Sequence, residues 1–277
     1  MSVIGQLKAI YKDVTSDIGI RHSFLGITLT FANEEVTINM DGYIKNLITD
    51  GNIKGTSSTP AGKDLFIDNE TTLLPLSEQK DLHTTVAKLL FLATRVRPDI
   101  LLVVNYLTTR VNKFTANDLK KCHRCLKYLN KTRSLGLVLR VNDVNNLEIV
   151  NHSDASFGVH VDGRSQSASV STLGSGSFYS SCRKQKLTTK SSTEAELICA
   201  AESAGNILGT RNYLLSRGFN VKPVNLGQDN TSTIQVIRNG SKSARRLKHL
   251  DNKVFFLKDY VEEEQLVVTC AHCAHGG

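Results

Sequence analysis

The hydrophobic period of this chain changes repeatedly after residue 146, and the order of those changes restricts the fold more than any other feature. Asn146-Leu147-Glu148-Ile149-Val150-Asn151-His152-Ser153 alternates apolar and polar as a half-buried strand does, which predicts Asp154 at a strand end. Residues 167 to 179 alternate small, β-branched and glycine residues, with Gly174-Ser175-Gly176 read as the turn of a hairpin. The period then becomes helical, with Leu197, Ala201, Ala204, Leu208 and Leu215 recurring on one face. Ser191 and Glu194 form a capping box at the start of that helix. Val224-Asn225-Leu226 is a further short strand, leading to Asp229. A helix broken at Asn239-Gly240 follows, then one over about 246–262 with Leu247, Leu250, Val254, Leu257 and Val261 inward, then a strand over Glu264-Gln265-Leu266-Val267-Val268. Strand, hairpin, helix, strand, helices and strand make an α/β layer with a mixed sheet.

Three acids stand where this patterning projects side chains inward: Asp154, Glu196 and Asp229. Alone, each is an ordinary turn former or solvated helix residue. Gathered from separate elements, they would repel one another, and divalent cations bound between them recover that cost. Oxygen-only ligation selects Mg2+ or Mn2+ over Zn2+. Glu194 and Glu196 lie in the same turn and point to different sides of the helix, and Glu194 is already used as a cap.

The words around these acids are Ser153-Asp154-Ala155, Asp162-Gly163-Arg164-Ser165-Gln166-Ser167, Arg183-Lys184-Gln185-Lys186, Ser191-Ser192-Thr193-Glu194-Ala195-Glu196-Leu197, Gln228-Asp229-Asn230 and Lys248-His249-Leu250-Asp251. In order and spacing they resemble the RNase H of copia-type LTR retrotransposons. The resemblance implies an RNase H-like mixed sheet with flanking helices over residues 147–277, and Glu196 as the catalytic glutamate. It also implies metal-dependent endonucleolytic hydrolysis of the RNA strand of RNA–DNA hybrids, with two Mg2+ or Mn2+ ions in the intact site. Asp154 would bridge both ions, Glu196 would hold the leaving-group side and Asp229 the nucleophile side. Integrases and transposases of the same fold order their acids Asp, Asp, Glu, whereas here the order is Asp, Glu, Asp. The family's fourth acid, an Asp in a helix after the last strand, has no counterpart, since no acid follows Glu264. Truncation of that helix is the preferred explanation over a substitute ligand from His272 or His275. Two readings stay open: a weakened RNase H, and a catalytically inactive nucleic-acid-binding remnant.

Residues 1–140 resemble the region after the polymerase active site of the same elements. The carrying words are His22-Ser23-Phe24-Leu25-Gly26-Ile27, read as a strand, Ser58-Thr59-Pro60, the block from Val86 to Ile100, Val104-Asn105-Tyr106-Leu107 and Leu126-Lys127-Tyr128-Leu129-Asn130-Lys131-Thr132. The implied structure is a mostly helical thumb or connection remnant of a reverse transcriptase. The chain contains no Asp-Asp pair, so no polymerase activity is expected. Thr94-Arg95-Val96-Arg97 carries extra residues before Pro98, read as an insertion in a surface turn. Arg140 to Asn146, polar and asparagine-rich, is the expected linker between the halves.

Charge suits a polyanionic partner. The 277 residues carry a net charge of +8, and cations cluster beside the proposed acids: Arg183, Lys184, Lys186 and Lys190 before the Glu196 helix, and Arg238, Lys242, Arg245, Arg246 and Lys248 after Asp229. Basic surface flanking an acidic centre predicts a nucleic acid, by resemblance an RNA–DNA hybrid, contacted by Arg183, Lys184, Lys186, Lys190, Arg245, Arg246 and Lys248. No apolar run approaches the roughly 18 residues of a membrane span, and the N-terminus has no secretory pattern, so a cytoplasmic or nuclear location is expected. The pairs Cys122/Cys125 and Cys270/Cys273 have Cys-x-x-Cys spacing but lie too far apart for a zinc ribbon, and reduced thiols are expected.

Overall fold

A computed structural model describes residues 3–11, 13–16, 18–70, 72–240 and 250–270. Among the described residues, two five-stranded sheets organise the chain. The second is built from β5 (Val150–Ser156), β6 (Gln166–Thr172), β8 (Tyr179–Lys184), β9 (Val224–Gln228) and β10 (Leu266–Cys270). Its order is β10-β9-β5-β6-β8; β5, β9 and β10 run parallel, and β6 and β8 are antiparallel additions. This is the mixed sheet expected from the period changes.

Helix α6 (Ser192–Ser216) lies across β5 and β6, and α7 (Thr231–Asn239) and α8 (Asp251–Glu262) pack beside it. The Ser191 hydroxyl accepts from the Glu194 N–H and starts α6. Glu194 itself reaches back to the Lys190 N–H at 2.8 Å. Leu197, Ala201, Ala204 and Leu208 are buried as predicted, together with Leu250, Val254 and Leu257 from the last helix. Leu215, in the final turn of α6, is 40% exposed. The small residues Ser167, Ser169 and Ala200 let α6 lie close to the sheet, where all three are buried.

The first half is a helical bundle on an antiparallel sheet. Helices α2 (Asp41–Asp50), α3 (Leu76–Arg95), α4 (Leu101–Thr108) and α5 (Ala116–Lys131) share one apolar core with Met40, Leu65 and Phe114. On α3 the buried set Leu82, Val86, Leu89 and Leu92 repeats at three and four residues, so Val86 is a mid-helix core residue. The sheet, order β1-β2-β3-β4-β7, comprises β1 (Arg21–Phe24), β2 (Ile27–Ala32), β3 (Glu35–Asn39), β4 (Leu137–Val141) and β7 (Gly174–Ser175). A short helix α1 (Val3–Ile10) precedes it.

Three local expectations are corrected. Residues 22–27 are not one strand: Leu25 (φ 50°) and Gly26 (φ 78°) are both left-handed and form the tight turn joining β1 to β2. Gly174-Ser175-Gly176 is not a simple hairpin tip, since Gly174 and Ser175 leave β6 and pair with Val141 and Arg140 of β4, stitching one sheet to the other. Gly176, at φ 74°, is needed there because a side chain would collide with the Val138 carbonyl. Finally, Val96 and Arg97 are not in a surface turn. Arg97 is 1% exposed, donates to both Asp99 carboxylate oxygens and to the Thr132 carbonyl, and stacks over Tyr128. The Thr132 hydrogen bond and the Tyr128 contact lock the α3–α4 corner to the end of α5.

Candidate metal centre

Strands β5 and β9 are paired only as far as His152 and Gly227. Beyond that point they part, and the second turn of α6 inserts Glu196 between them. The Ala155 N–H donates to Glu196 Oε1 at 3.1 Å, and the Gln228 side-chain amide donates to Oε2 at 3.2 Å. The Gln228 side-chain oxygen Oε1 in turn accepts from the N–H groups of Asp229 (2.8 Å) and Asn230 (3.1 Å), which shapes the turn out of β9. Asn230 caps α7 by accepting from the Thr233 N–H. Asp229 is thus held on a short turn between a strand and a helix, tied through Gln228 to Glu196.

Asp154, Glu196 and Asp229 each bring a carboxylate oxygen to within 4.8 Å of the other two. They do not all project inward. Ser153 and Ala155 take the α6 side of β5, so strand alternation turns Asp154 to the opposite, open face; Asp229 is exposed as well, and only Glu196, 5% exposed, is buried. Gly227 permits the arrangement on that face, since a Cβ there would strike the His152 ring.

Burial first, and the charges of Asp154 and Asp229 with it, push the Glu196 carboxyl up to about 7, against the Ala155 and Gln228 hydrogen bonds that favour ionisation. A buried carboxyl beside two like charges is an unfinished electrostatic arrangement that a divalent cation completes. The donor set fits such an ion, being three carboxylates with no thiol or imidazole among them.

Among the cations singled out from sequence, Lys186 and Lys190 are exposed in the segment leading into α6. Lys184 is engaged with Asp162 at 2.7 Å. Arg183 lines a small groove with Ser167, Ser181, Glu202 and Asn206, on the α6 side of the sheet and away from Asp154. Arg245, Arg246, Lys248, Lys242, His249, His272 and His275 lie outside the described residues. Sequence reasoning passed over a basic stripe on α5, where Lys120, Arg124, Lys127 and Lys131 are all exposed. Its signal is legible as cations four, seven and eleven residues beyond Lys120. Cys122 and Cys125 are buried in the α5 core, and burial pushes the Cys122 thiol up to about 12 and raises Cys125 as well. Their spacing is the core face of a helix, not a ligand pair.

No family model matches the chain. Over 267 residues, 91% of its length, it is 26% identical to the Transposon Ty1-LR2 Gag-Pol polyprotein of Saccharomyces cerevisiae, of which the match covers 15%. Over 198 residues it is 31% identical to the putative transposon Ty5-1 protein of the same yeast, covering 69% of this chain and 63% of that one. The chain is thus similar along most of its length to retrotransposon Gag-Pol polyproteins, the group that its sequence motifs resemble. It spans about 15% of the length of the Ty1 polyproteins it matches. Its fold is likened to the foamy viral protease-reverse transcriptase solved in complex with an RNA/DNA hybrid, at a TM-score of 0.51 and 10% identity over 91% of this chain and 29% of that chain. The fold class is α/β, a mixed sheet with flanking helices.

Proposed function

We propose that this chain is an RNase H that hydrolyses the RNA strand of RNA–DNA hybrids, with Asp154, Glu196 and Asp229 as both metal ligands and catalytic residues. The observation that carries the reading is the meeting of three carboxylates from β5, α6 and the β9–α7 turn within 4.8 Å, one of them buried. When bound, magnesium or manganese supplies charge stabilisation at the scissile phosphate. Asp154 and Asp229, open to solvent, offer oxygens on the side from which a phosphodiester approaches. Glu196 is fixed from behind by the Ala155 and Gln228 donors, so its carboxylate needs no reorganisation when substrate arrives.

Residues 147–277 form the nuclease unit on this reading, and residues 1–140 the flanking thumb-like unit. Lys186, Lys190 and the α5 stripe of Lys120, Arg124, Lys127 and Lys131 supply exposed positive charge for the phosphate backbone. Among the described residues no helix is long and apolar enough to cross a membrane, and we place the activity in the cytoplasm or nucleus.

Exposed cations hold a phosphate backbone whether or not the carboxylates cut, which favours a second reading, in which the chain holds a hybrid without cutting it. The two are separated by incubating an end-labelled hybrid in Mg2+ or Mn2+, with EDTA and Asp154→Asn as controls. Metal-dependent cutting that Asp154→Asn abolishes supports the nuclease. Salt-sensitive binding without cutting supports the remnant, and cutting that survives Asp154→Asn removes the proposed site.

A further inference from the structure

We infer that the contact between the helical half and the second sheet sets the position along a bound duplex at which the carboxylates cut, with Asn105, His160 and Gln166 as positioning residues. The inference rests on the nuclease reading above.

Strand register carries the argument. Asp154 is paired with Ala168, and Ala168 with Cys182, so the three stand in one row on one face of the sheet, with about 4.8 Å between neighbouring strands. Ala168 and Cys182 pack into the core of the helical half. The face that presents Asp154 therefore runs directly into the helical half within two strands, and a duplex lying over the carboxylates must pass along its flank.

The junction is pinned by polar and aromatic contacts rather than by apolar area alone. The Gln166 side-chain amide donates to Asn105 Oδ1 of α4 at 3.0 Å, and Gln166 Oε1 lies 2.8 Å from His160 Nε2. The His160 ring is stacked on Tyr106 at 14° and 6.4 Å, and Phe66 meets both rings edge-on at 5.1 and 5.6 Å. Gln166 follows the β5–β6 loop that contains His160 and is paired with Ser156, two residues from Asp154. None of these groups belongs to the carboxylate cluster, yet together they fix its distance from α4. Contacts of defined direction determine orientation in a way that a greasy surface does not.

The test uses the full chain and the Asn105→Ala/His160→Ala double variant. Hydrogen exchange of amides 101–108 and 157–164 reads the junction, and an end-labelled RNA–DNA hybrid reads the cuts. We expect faster exchange in both segments and cuts spread over about two or three neighbouring phosphates, because small misplacement redirects a positioned reaction. The conservative pair Asn105→Asp/His160→Phe, which keeps an acceptor and a stacked ring, restores the wild-type positions. Unchanged exchange, or opened exchange with an unchanged cutting pattern, overturns the inference. Should the wild-type chain not cut, the nuclease reading fails by itself. The hydroxyl-radical footprint on the bound hybrid then decides: a protected stretch shortened or split in the double variant supports the junction's role, and an identical footprint rejects it.

Discussion

Buried charge occurs in both halves of this molecule and is built in opposite ways. In the helical half, Arg97 is matched by Asp99, and Arg110 lies between Asp68 and Asp118, so each buried guanidinium has a carboxylate on it. At the carboxylate cluster, Glu196 is buried beside Asp154 and Asp229, and among the described residues its hydrogen-bond donors are neutral amides. The first arrangement is closed, and each partner is stabilised by the other. The second is negative and becomes complete only with a cation. A buried ionisable group whose neighbours share its charge is poor architecture and good chemistry, and this contrast marks the site apart from the structural ion pairs.

The largest test of that contrast is Asp154→Asn. On the proposed reading it reduces hybrid cleavage by about a thousandfold or more, roughly 4 kcal/mol in the barrier. Urea unfolding of the metal-free chain should be unchanged or strengthened, because a like charge beside Glu196 is gone. Equal loss of activity and stability would make Asp154 a structural residue. Arg97→Ala is the converse case. It strands Asp99 and empties a core position, and it should cost about 3–5 kcal/mol in urea unfolding, with or without Mg2+.

Glu196→Gln sharpens the comparison through pH. The Glu196 carboxyl is raised from 4.5 to about 7 in the folded chain, so the folded state holds its proton more tightly than the unfolded state does. In EDTA the wild-type chain should therefore lose stability as pH rises from about 4.5 through about 7, while the glutamine variant loses less, the gap reaching at most about 3 kcal/mol. A gap of the opposite sign would mean that Glu196 is stabilised as an anion without metal. Saturable Mg2+ binding should then raise stability at pH 8 by about 1.4 kcal/mol at ten times Kd in the wild type only, measured by the same unfolding curves.

The smallest effect belongs to His160. Burial holds its imidazole below the ordinary 6.5, so the unfolded chain takes up the proton first and stability falls as pH drops below about 6.5. His160→Phe should flatten that part of the pH profile.

Sequence made the acids legible because each sits in a distinctive local word and the strand and helix periods around them are clean. It did not reveal the direction of Asp154, since one residue of alternation decides a face and Ser153 and Ala155 are small enough for either. The first sheet was largely hidden. Its strands are half-exposed, with threonines at Thr28, Thr30 and Thr37, and its first turn uses a leucine, Leu25, at positive φ where a turn signal would call for asparagine or glycine. Arg97 looked like solvent-facing charge because burial of an arginine depends on Asp99 and Thr132, partners that sequence distance conceals for Thr132. The junction at Gln166 and Asn105 depends on tertiary packing alone, so no local pattern could have announced it.

The direct measurement is titration of the Glu196 side-chain carboxyl by carbon-13 NMR, once in EDTA and once in saturating Mg2+. A metal-seeking trio predicts a midpoint near 7 without the ion and a large downward displacement with it, lost in Asp154→Asn. A midpoint at the ordinary glutamate value that ignores Mg2+ would contradict the account.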